Sequence, residues 1–283
     1  MFTVLQGIKS IAVIGAGKIG SAMIRAIRSC FSDITVYATG RRDETLKSAA
    51  ALGSIALRDN RKAVSSADLV ILSVKPHHFP QVVNQAGRDV WEGKIVVSVM
   101  AGIRLKTLRD ALKGAKVFRA MPNINALVRH STTAIAIVED ADDREKSVVD
   151  SLFKCLGTVY WVPEEFLDVW TGLIGSGPAF LAEIIDALVL GAVASGMYRE
   201  LAYNAILDVL EGTAILLKNR TIHPAEMRDE VTTPAGTTIR GLMVLESEGV
   251  KAALMKTVEA ASKRSSEIGS EIDRAIRRAL GLD

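Results

Sequence analysis

Hydrophobic residues in the first half of the chain form short runs rich in Val and Ile, separated by stretches with helical spacing. This alternation is typical of βαβ units that build a mostly parallel sheet. It predicts strands over residues 10–14, 34–38, 69–74, 95–99 and 116–119, with weaker ones over 133–138 and 158–161. The stretches between them predict helices over 18–29, 43–52, 105–112 and 142–155, with Asp43 and Asp142 as N-caps.

The pattern changes after about Pro163, where strand signals end and long helical stretches rich in Ala, Leu and Ile begin. They predict helices over 178–195, 199–218, 237–248 and 250–280. Several of these helices are apolar on more than one face, which a single small domain cannot bury. We therefore expect an obligate oligomer built from the second half. The longest apolar segment, 179–197, contains Glu183 and Asp186, so we expect a buried helix there and no membrane span.

Composition narrows the class of protein. The 283 residues are 49% hydrophobic and 24% charged, which is the balance of a globular protein. A net charge of +3 is too small to indicate a nucleic-acid partner, so we expect none. Two cysteines are too few for a disulfide framework, and the first residues show no export signal. A cytoplasmic location is the expectation.

The first strand leads into a Gly-x-Gly-x-x-Gly turn and then a helix. The turn is Gly15-Ala16-Gly17-Lys18-Ile19-Gly20. Such a turn lets the backbone approach a pyrophosphate and presents helix amides to it. The pattern alone is weak, but its place after the first strand predicts a dinucleotide site. The expected fold class is α/β: an N-terminal Rossmann-type doubly wound, mostly parallel sheet over 1–163, followed by an all-α C-terminal domain over 164–283.

The end of the second strand indicates which dinucleotide binds. An acidic residue there would favour NAD, whereas arginine accommodates a 2′-phosphate. This strand is followed by Arg41 and Arg42, with Thr39 as a further hydroxyl, and no carboxylate comes before Asp43. The sequence therefore favours NADPH, with NADH as the alternative. A pair of solvated arginines without a ligand would explain the same residues. Two more loops at this edge, Val74-Lys75-Pro76 and Ala101-Gly102, are candidate cofactor contacts.

Two segments of the second half suggest a substrate site. One is the glycine-rich run 172–178, which contains Ser176, and the other is the threonine-rich run 231–238. Threonine hydroxyls and the unpaired amides of a helix N-terminus can bind an anion such as a carboxylate, although an N-capping turn explains the same residues. No Lys or His occurs between Glu164 and Leu217, and the four histidines form no metal set. Reduction of a C=N bond needs no such base, so this reaction fits the residues.

These motifs together resemble the pyrroline-5-carboxylate reductase family over nearly the whole chain. The matching segments, in chain order, are Ile14–Gly20, Val74-Lys75-Pro76, Ala101-Gly102, Arg119-Ala120-Met121-Pro122-Asn123, Gly175-Ser176-Gly177-Pro178-Ala179, Val231–Thr238 and Leu245-Glu246-Ser247. The resemblance implies hydride transfer from NAD(P)H to the C=N bond of 1-pyrroline-5-carboxylate, giving L-proline. It also implies a homodimer through the C-terminal helices, often assembled further into rings such as a decamer.

The resemblance assigns roles to single residues. It implies that Thr233, Gly236, Thr237 and Thr238 hold the substrate, with Thr238 hydrogen-bonded to the ring nitrogen and our first candidate for a catalytic residue. It places Asn60 near the adenosine part of the cofactor, and Met121, Pro122 and Ser176 near the nicotinamide.

The chain departs from the family at three places. Ile124-Asn125 replaces the usual Thr-Pro, and Arg129-His130 stands where relatives often have Gly-Glu. Ala235 replaces a common Gly, which is a modest change if its φ angle is negative. Three alternatives stay open: a β-hydroxyacid or 6-phosphogluconate type dehydrogenase, whose catalytic Lys this chain lacks, a reductase of a related cyclic imine, and a non-catalytic NADPH-binding sensor or scaffold.

Overall fold

The computed structural model describes residues 5–283 as an eight-stranded sheet with twelve α-helices. The strands are β1 Ser10–Ile14, β2 Thr35–Thr39, β3 Ile55–Leu57, β4 Leu69–Leu72, β5 Ile95–Ser98, β6 Lys116–Met121, β7 Ser131–Ala136 and β8 Gly157–Val162. The helices are α1 Lys18–Cys30, α2 Asp43–Ala51, α3 Asn60–Ser65, α4 Phe79–Ala86, α5 Leu105–Ala111, α6 Asp143–Lys154, α7 Phe166–Trp170, α8 Gly177–Ala194, α9 Arg199–Arg220, α10 Pro224–Glu230, α11 Thr237–Ser247 and α12 Val250–Leu280.

The sheet has the strand order β3-β2-β1-β4-β5-β6-β7-β8, and every neighbouring pair is parallel except β6 with β7. The order reverses beside β1, where the chain crosses from β3 to β4. At such a switch point the loops that follow two adjacent strands diverge and leave a crevice for a ligand. The doubly wound architecture predicted from the sequence is confirmed.

The central strands form because their residues suit burial on both faces. All residues of β4 and β5 are buried, and both runs consist of Leu, Val and Ile apart from a final Ser98. Continuous apolar runs of this length are typical of parallel strands covered by helices on both sides. All seven predicted strands are present with shifted ends. The sequence analysis missed β3, a three-residue edge strand that contains the exposed Ile55.

Helix starts test the capping predictions. Asp142 caps α6 as predicted, because its carboxylate accepts from the Glu145 amide at 2.7 Å and Glu145 accepts in return from the Asp142 amide. Asp43 is not an N-cap, so that prediction was wrong. The N-cap of α2 is Arg42, and Asp43 is the first helical residue. There its negative charge still lies at the positive end of the helix dipole.

The chain forms two compact units, one of residues 5–176 and 260–283 and the other of residues 177–259. This division differs from the predicted boundary at residue 163. Two segments beyond that boundary pack with the sheet. Leu167 of α7 joins the core of the first unit, and so do Ile276 and Leu280 near the end of α12.

The second unit consists of helices whose apolar residues remain largely exposed. In α8 only Val189 is buried, and α9 buries only Ala202. The expected burial of segment 179–197 is therefore not met within one chain, because its apolar residues surround the helix. By length and composition the helical stretch Phe166–Ala194 could cross a membrane, and 6% of its most apolar window is buried.

Two carboxylates from distant parts of the chain satisfy the amides that start α5. Asp273 of α12 accepts from the Arg104 amide at 2.9 Å, and Glu164 accepts from the Leu105 amide at 2.7 Å. Glu164 also pairs with the largely buried Arg119 at 3.0 Å. The first amides of a helix have no partner within it, and carboxylates stabilise that end. The start of α5 therefore depends on chain segments before and after the second unit.

We expect Asp273→Ala to lower the free energy of unfolding by about 1 kcal/mol, because it leaves the partly buried Arg104 amide without its acceptor. Asp273→Asn retains a side-chain oxygen and should restore most of the loss. The exposed Glu271, on the same helix, provides the control variant Glu271→Ala. Urea denaturation measures all three. Equal stability of Asp273→Ala and Glu271→Ala would contradict the capping role.

Candidate cofactor and substrate sites

The turn after β1 has a shape that only glycine permits at two positions. Gly15 has φ +98°, and a Cβ placed there would lie 2.7 Å from Val74 Cγ1. At Gly20 a Cβ would lie 2.3 Å from the Gly15 carbonyl oxygen. Ser73 fixes the same carbonyl, because its hydroxyl donates to Gly15 O at 2.7 Å. The first and third glycines are therefore required for packing within the protein.

The second glycine, Gly17, is different because a Cβ there would meet no atom within 4 Å. Gly17 is the N-cap of α1, and no side chain caps that helix. Its uncapped amides and dipole therefore provide a site for an anion. Backbone that is open on this side while tightly packed at Gly15 and Gly20 suits the approach of a pyrophosphate. Ala16, Lys18 and Ile19 complete the predicted turn, and the residues present fit a dinucleotide.

The end of β2 is attached to this turn. Thr39 is buried, its hydroxyl accepts from the Gly15 amide at 3.3 Å, and its carbonyl accepts from the Ala16 amide at 2.8 Å. In the structure the hydroxyl thus supports the glycine turn. Contact of Thr39 with a 2′-phosphate stays a prediction.

Beyond Thr39 the predicted arginines are exposed. The Arg41 carbonyl accepts from Arg58 at 2.9 Å, and Arg58 also forms an ion pair with Asp43. The nearest carboxylate is therefore already paired, whereas Arg41 and Arg42 form no ion pair with the residues that the structure describes. Arg58, which comes directly after β3, was not among the predicted site residues. Because β3 itself was not predicted, the sequence did not indicate that Arg58 lies beside Arg41.

The loop after β4 lies beside the glycine turn. Val74 contacts Gly15, Lys75 is exposed, and Pro76 begins a 3₁₀ turn over Pro76–His78. The His77 and His78 rings lie 4.0 Å apart. Burial, then the neighbouring His77 and the charge of Arg41, lower the pKa of His78 below its ordinary value.

Asn60 lies at the start of α3, where its side chain donates to Gln85 at 2.7 Å. Its contact with the adenosine part of a cofactor stays a prediction.

The loop after β5 packs against a helix of the same unit. Gly102 has φ +80° and is buried, and a Cβ there would lie 3.0 Å from the Gly269 Cα of α12. Two glycines thus let loop and helix backbones meet. In the structure the close neighbour of Gly102 is the Gly269 backbone. The neighbouring Ala101 is exposed, and cofactor contact by either residue stays a prediction.

The end of β6 and the segment after it carry Met121 and Pro122, the predicted neighbours of the nicotinamide, and then Asn123, to which no role was assigned. Asn123 is 6% exposed and donates from its amide nitrogen to the Ile174 carbonyl at 3.3 Å. Its backbone amide donates to Ser131 Oγ at 3.2 Å. Asn123 therefore joins this segment to β7 and to the run before Ser176. The only signal in the sequence was the place of Asn123 in the motif Met121-Pro122-Asn123.

The glycine-rich run before Ser176 is a π-helical turn over Thr171–Gly175. The Ser176 amide donates to the Thr171 carbonyl at 2.9 Å, and the Ser176 hydroxyl donates to the same oxygen at 3.2 Å. A Cβ on Gly175 would lie 3.9 Å from Met121 Cε. Gly175, the residue before Ser176, therefore lies beside Met121. Contact of Ser176 and Met121 with a nicotinamide stays a prediction.

The threonine-rich run in the second unit forms a turn that opens α11. Gly236 is the N-cap, no side chain caps the helix, and the amides of Thr237 and Thr238 begin its first turn. The Gly236 amide donates to the Thr233 carbonyl at 3.1 Å, and a Cβ on Gly236 would lie 2.3 Å from Thr233 Oγ1. Thr233, Gly236, Thr237 and Thr238 thus share one turn beside uncapped helix amides, with Thr233 and Thr237 exposed and Thr238 half-buried.

Ala235 has φ +57°, the left-handed region. The substitution of the usual Gly is therefore not the modest change expected for a negative φ. An L-residue there costs about 1 kcal/mol, so the turn is held by its surroundings.

The remaining polar candidates have structural partners. Thr232 donates to the Arg228 carbonyl at 2.6 Å and thereby ends α10. His223 caps the start of α10, where its Nδ1 accepts from the Ala225 amide at 3.1 Å. Across residues 5–283, no group of three or more His, Cys, Asp or Glu side chains is arranged to hold a metal ion.

Comparison with known proteins adds two family matches. Residues 164–268 match the model described as pyrroline-5-carboxylate reductase dimerisation. Residues 10–102 match the model described as NADP oxidoreductase, coenzyme F420-dependent. The first covers the helices with exposed apolar faces, and the second covers the glycine turn and the loops beside it.

Curated relatives and solved structures carry the same name. The chain is 38% identical to the pyrroline-5-carboxylate reductase of Methanosarcina acetivorans, over 93% of this chain and 99% of the relative. It is 35% identical to pyrroline-5-carboxylate reductase 3 of Macaca fascicularis, over 92% and 96%. The Coxiella burnetii reductase structure matches with a TM-score of 0.83 and 28% identity, over 91% and 97%.

A Plasmodium falciparum pyrroline carboxylate reductase with NADP bound has the same fold, with a TM-score of 0.82, 24% identity and coverage of 93% and 99%. Similarity at the level of the curated relatives extends over almost the whole of both chains and includes the glycine turn and the threonine-rich turn alike. The chain belongs to the pyrroline-5-carboxylate reductase family.

Proposed function

We propose that the protein is an NAD(P)H-dependent oxidoreductase that reduces the C=N bond of 1-pyrroline-5-carboxylate to L-proline, the last step of proline biosynthesis. The observation that carries this proposal is the turn Thr233–Thr238, which presents hydroxyl groups beside the uncapped start of α11. A small anionic substrate with a polar ring atom matches that set of donors. The family and the name of its relatives support the same substrate.

When bound, NAD(P)H would supply the hydride for the imine carbon, and the ring nitrogen would take a proton. The chain's own part is to bind and orient. The amides of Thr237 and Thr238, with the Thr233 hydroxyl and the Gly236 backbone beside them, would hold the carboxylate. The Thr238 hydroxyl would hydrogen-bond the ring nitrogen and hold the proton that it needs. No basic residue is required, because the imine is already electrophilic.

On the cofactor side, the turn Gly15–Gly20 would hold the pyrophosphate, with Val74, Lys75, Pro76, Ala101 and Gly102 along the same edge. Met121, Pro122 and Ser176 would lie at the nicotinamide and Asn60 near the adenosine. Arg41 and Arg42 would bind the 2′-phosphate, which favours NADPH over NADH. The match of residues 10–102 to an NADP oxidoreductase model supports that preference.

A second copy of the chain would cover the exposed apolar faces of the helical unit, giving a homodimer through the C-terminal helices that assembles further into a ring such as a decamer. The dimerisation match over residues 164–268 supports the dimer. In this proposal residues 1–163 bind the dinucleotide and 164–283 bind substrate and partner. Charged Glu183 and Asp186 within the apolar helix support a cytoplasmic oligomer.

The purified protein should oxidise NADPH only when 1-pyrroline-5-carboxylate is added, because the electrophilic carbon is on the substrate. Absorbance of the reduced nicotinamide measures turnover with NADPH and with NADH. Binding of NADPH without turnover on this or any related cyclic imine would overturn the reductase assignment.

Replacement of Thr238 by Ala should lower kcat on the imine by about a hundredfold, the contribution typical of a positioned proton donor. Thr238→Ser retains the hydroxyl and should recover most of the rate. Fluorescence titration should show unchanged NADPH affinity in both variants. If Thr238→Ala matches the parent enzyme in kcat, the hydroxyl has no part in proton transfer.

Replacement of Arg41 or Arg42 by Ala should raise KM for NADPH by roughly tenfold, since each removes a hydrogen bond to a charged phosphate, and leave KM for NADH unchanged. Lys47 is an exposed cation on α2 and provides the matched control Lys47→Ala. Steady-state kinetics with NADPH and with NADH give the two KM values for each variant. An undiminished preference for NADPH in the double variant would refute the 2′-phosphate site.

A further inference from the structure

The only two cysteines of the chain come together in the first unit, although they are far apart in sequence. Cys30 is the last residue of α1, and Cys155 directly follows α6. The Arg129 guanidinium contacts both residues, and the two thiols lie close enough to interact. Cys30 is partly exposed, whereas Cys155 is 1% exposed. Solvent therefore reaches this pair of thiols through Cys30.

An arginine holds the pair from a third segment of the chain. The Arg129 guanidinium donates to Cys30 Sγ at 3.3 Å, to Ser29 Oγ at 3.1 Å and to the Cys155 carbonyl at 3.1 Å. Arg129 has φ +61°, a left-handed conformation that is unfavourable for an L-residue. Its three contacts all go to the cysteines or to the residue beside them, so these contacts help to hold the strained backbone.

This arrangement has the parts of a reactive dithiol. A positive charge beside an accessible sulfur assists its attack on an electrophile, and a second thiol in contact can resolve the product. Cys30 is the attacking thiol because it is partly exposed and lies beside the Arg129 cation, and the buried Cys155 is the resolving partner. Burial, followed by the interaction with Cys30, raises the pKa of the Cys155 thiol. Metal binding does not explain the pair, since no third ligand of the His, Cys, Asp or Glu type joins it within residues 5–283.

We propose that Cys30 and Cys155 are a modification site that forms a reversible intramolecular disulfide when the protein meets a hydroperoxide. The Cys30 sulfur attacks the peroxide, the O–O bond breaks, and a sulfenic acid and one molecule of water or alcohol form. The Cys155 sulfur then attacks the Cys30 sulfur, the S–O bond breaks and water leaves. Two thiols are oxidised, the peroxide is reduced, and both thiol protons end in the products.

The disulfide would join the end of α1, the helix that begins at the predicted cofactor turn, to the end of α6. Cys30 ends the helix whose first turn follows Gly17, and Arg129 ends the 3₁₀ turn that follows Met121, Pro122 and Asn123. Oxidation removes the thiol from the Arg129 contact and fixes the end of α1 to the end of α6. We expect KM for NADPH to change on oxidation. That effect depends on the proposed reductase activity, whereas formation of the disulfide does not.

Intact-mass analysis of the full chain after treatment with hydrogen peroxide tests the proposal independently of activity. We expect the loss of two hydrogen atoms, a non-reduced peptide that joins Cys30 to Cys155, and recovery of the reduced mass with dithiothreitol. Cys30→Ser should abolish the cross-link. Accumulation of sulfinic acid at Cys30, or disulfides only between chains, would overturn the proposal.

The role of Arg129 has its own variants. Arg129→Gln should slow cross-link formation by roughly threefold to tenfold, because the cation beside the sulfur is lost, and Arg129→Lys should recover part of the rate. Arg25 is exposed on the same helix as Cys30, and Arg25→Gln provides the matched control. Circular dichroism checks that each variant folds. A rate in Arg129→Gln equal to that in Arg25→Gln would remove arginine from the mechanism.

Discussion

The first unit depends on a close approach of backbone to backbone beside β1. The Cα of Gly20 lies so near the Gly15 carbonyl that any side chain would collide with it, and Ser73 and Thr39 hydrogen-bond the same turn from the two neighbouring strands. One short turn thus sets the distance between α1 and the sheet and the separation of the loops after β2 and β4. The backbone at Gly17, the predicted anion site, is accessible because the residues around it are fixed and only its outer side is open.

A comparable constraint acts at α5, where segments far apart in the sequence meet. The pairing of Gly102 with Gly269 brings the α12 backbone to the loop after β5, and Asp273 then reaches the Arg104 amide. Arg277 of the same helix pairs with Asp110 at 2.9 Å. Glycine contact, amide capping and ion pair lie on successive turns of α12. The last helix therefore belongs to the structure that holds the cofactor loops.

The sequence predicted the elements whose signal is local. Periodic apolar runs located the seven longer strands, and α12 has the predicted bounds. Three residues of edge strand carry too little pattern to show β3, and the π-helical turn at Thr171–Gly175 has no distinct signal. The caps of α5 and the meeting of Cys30 with Cys155 depend on tertiary structure, which spacing along the chain does not reveal. For the site, the glycine turn was predictable from residue type. The positive φ angle of Ala235 and the hydrogen bonds of Asn123 depend on tertiary structure and were not.

The return of α12 to the first unit has a consequence for the order of events during synthesis. Ile276, Leu280 and Asp273 complete the core and the helix caps of the first unit, yet they are synthesised after residues 177–259. Domains generally fold as units in the order in which they are made. Here the first unit remains incomplete while the helices of residues 177–259 emerge with their apolar faces exposed. The core of the first unit therefore stays open until the chain beyond the second unit has been made.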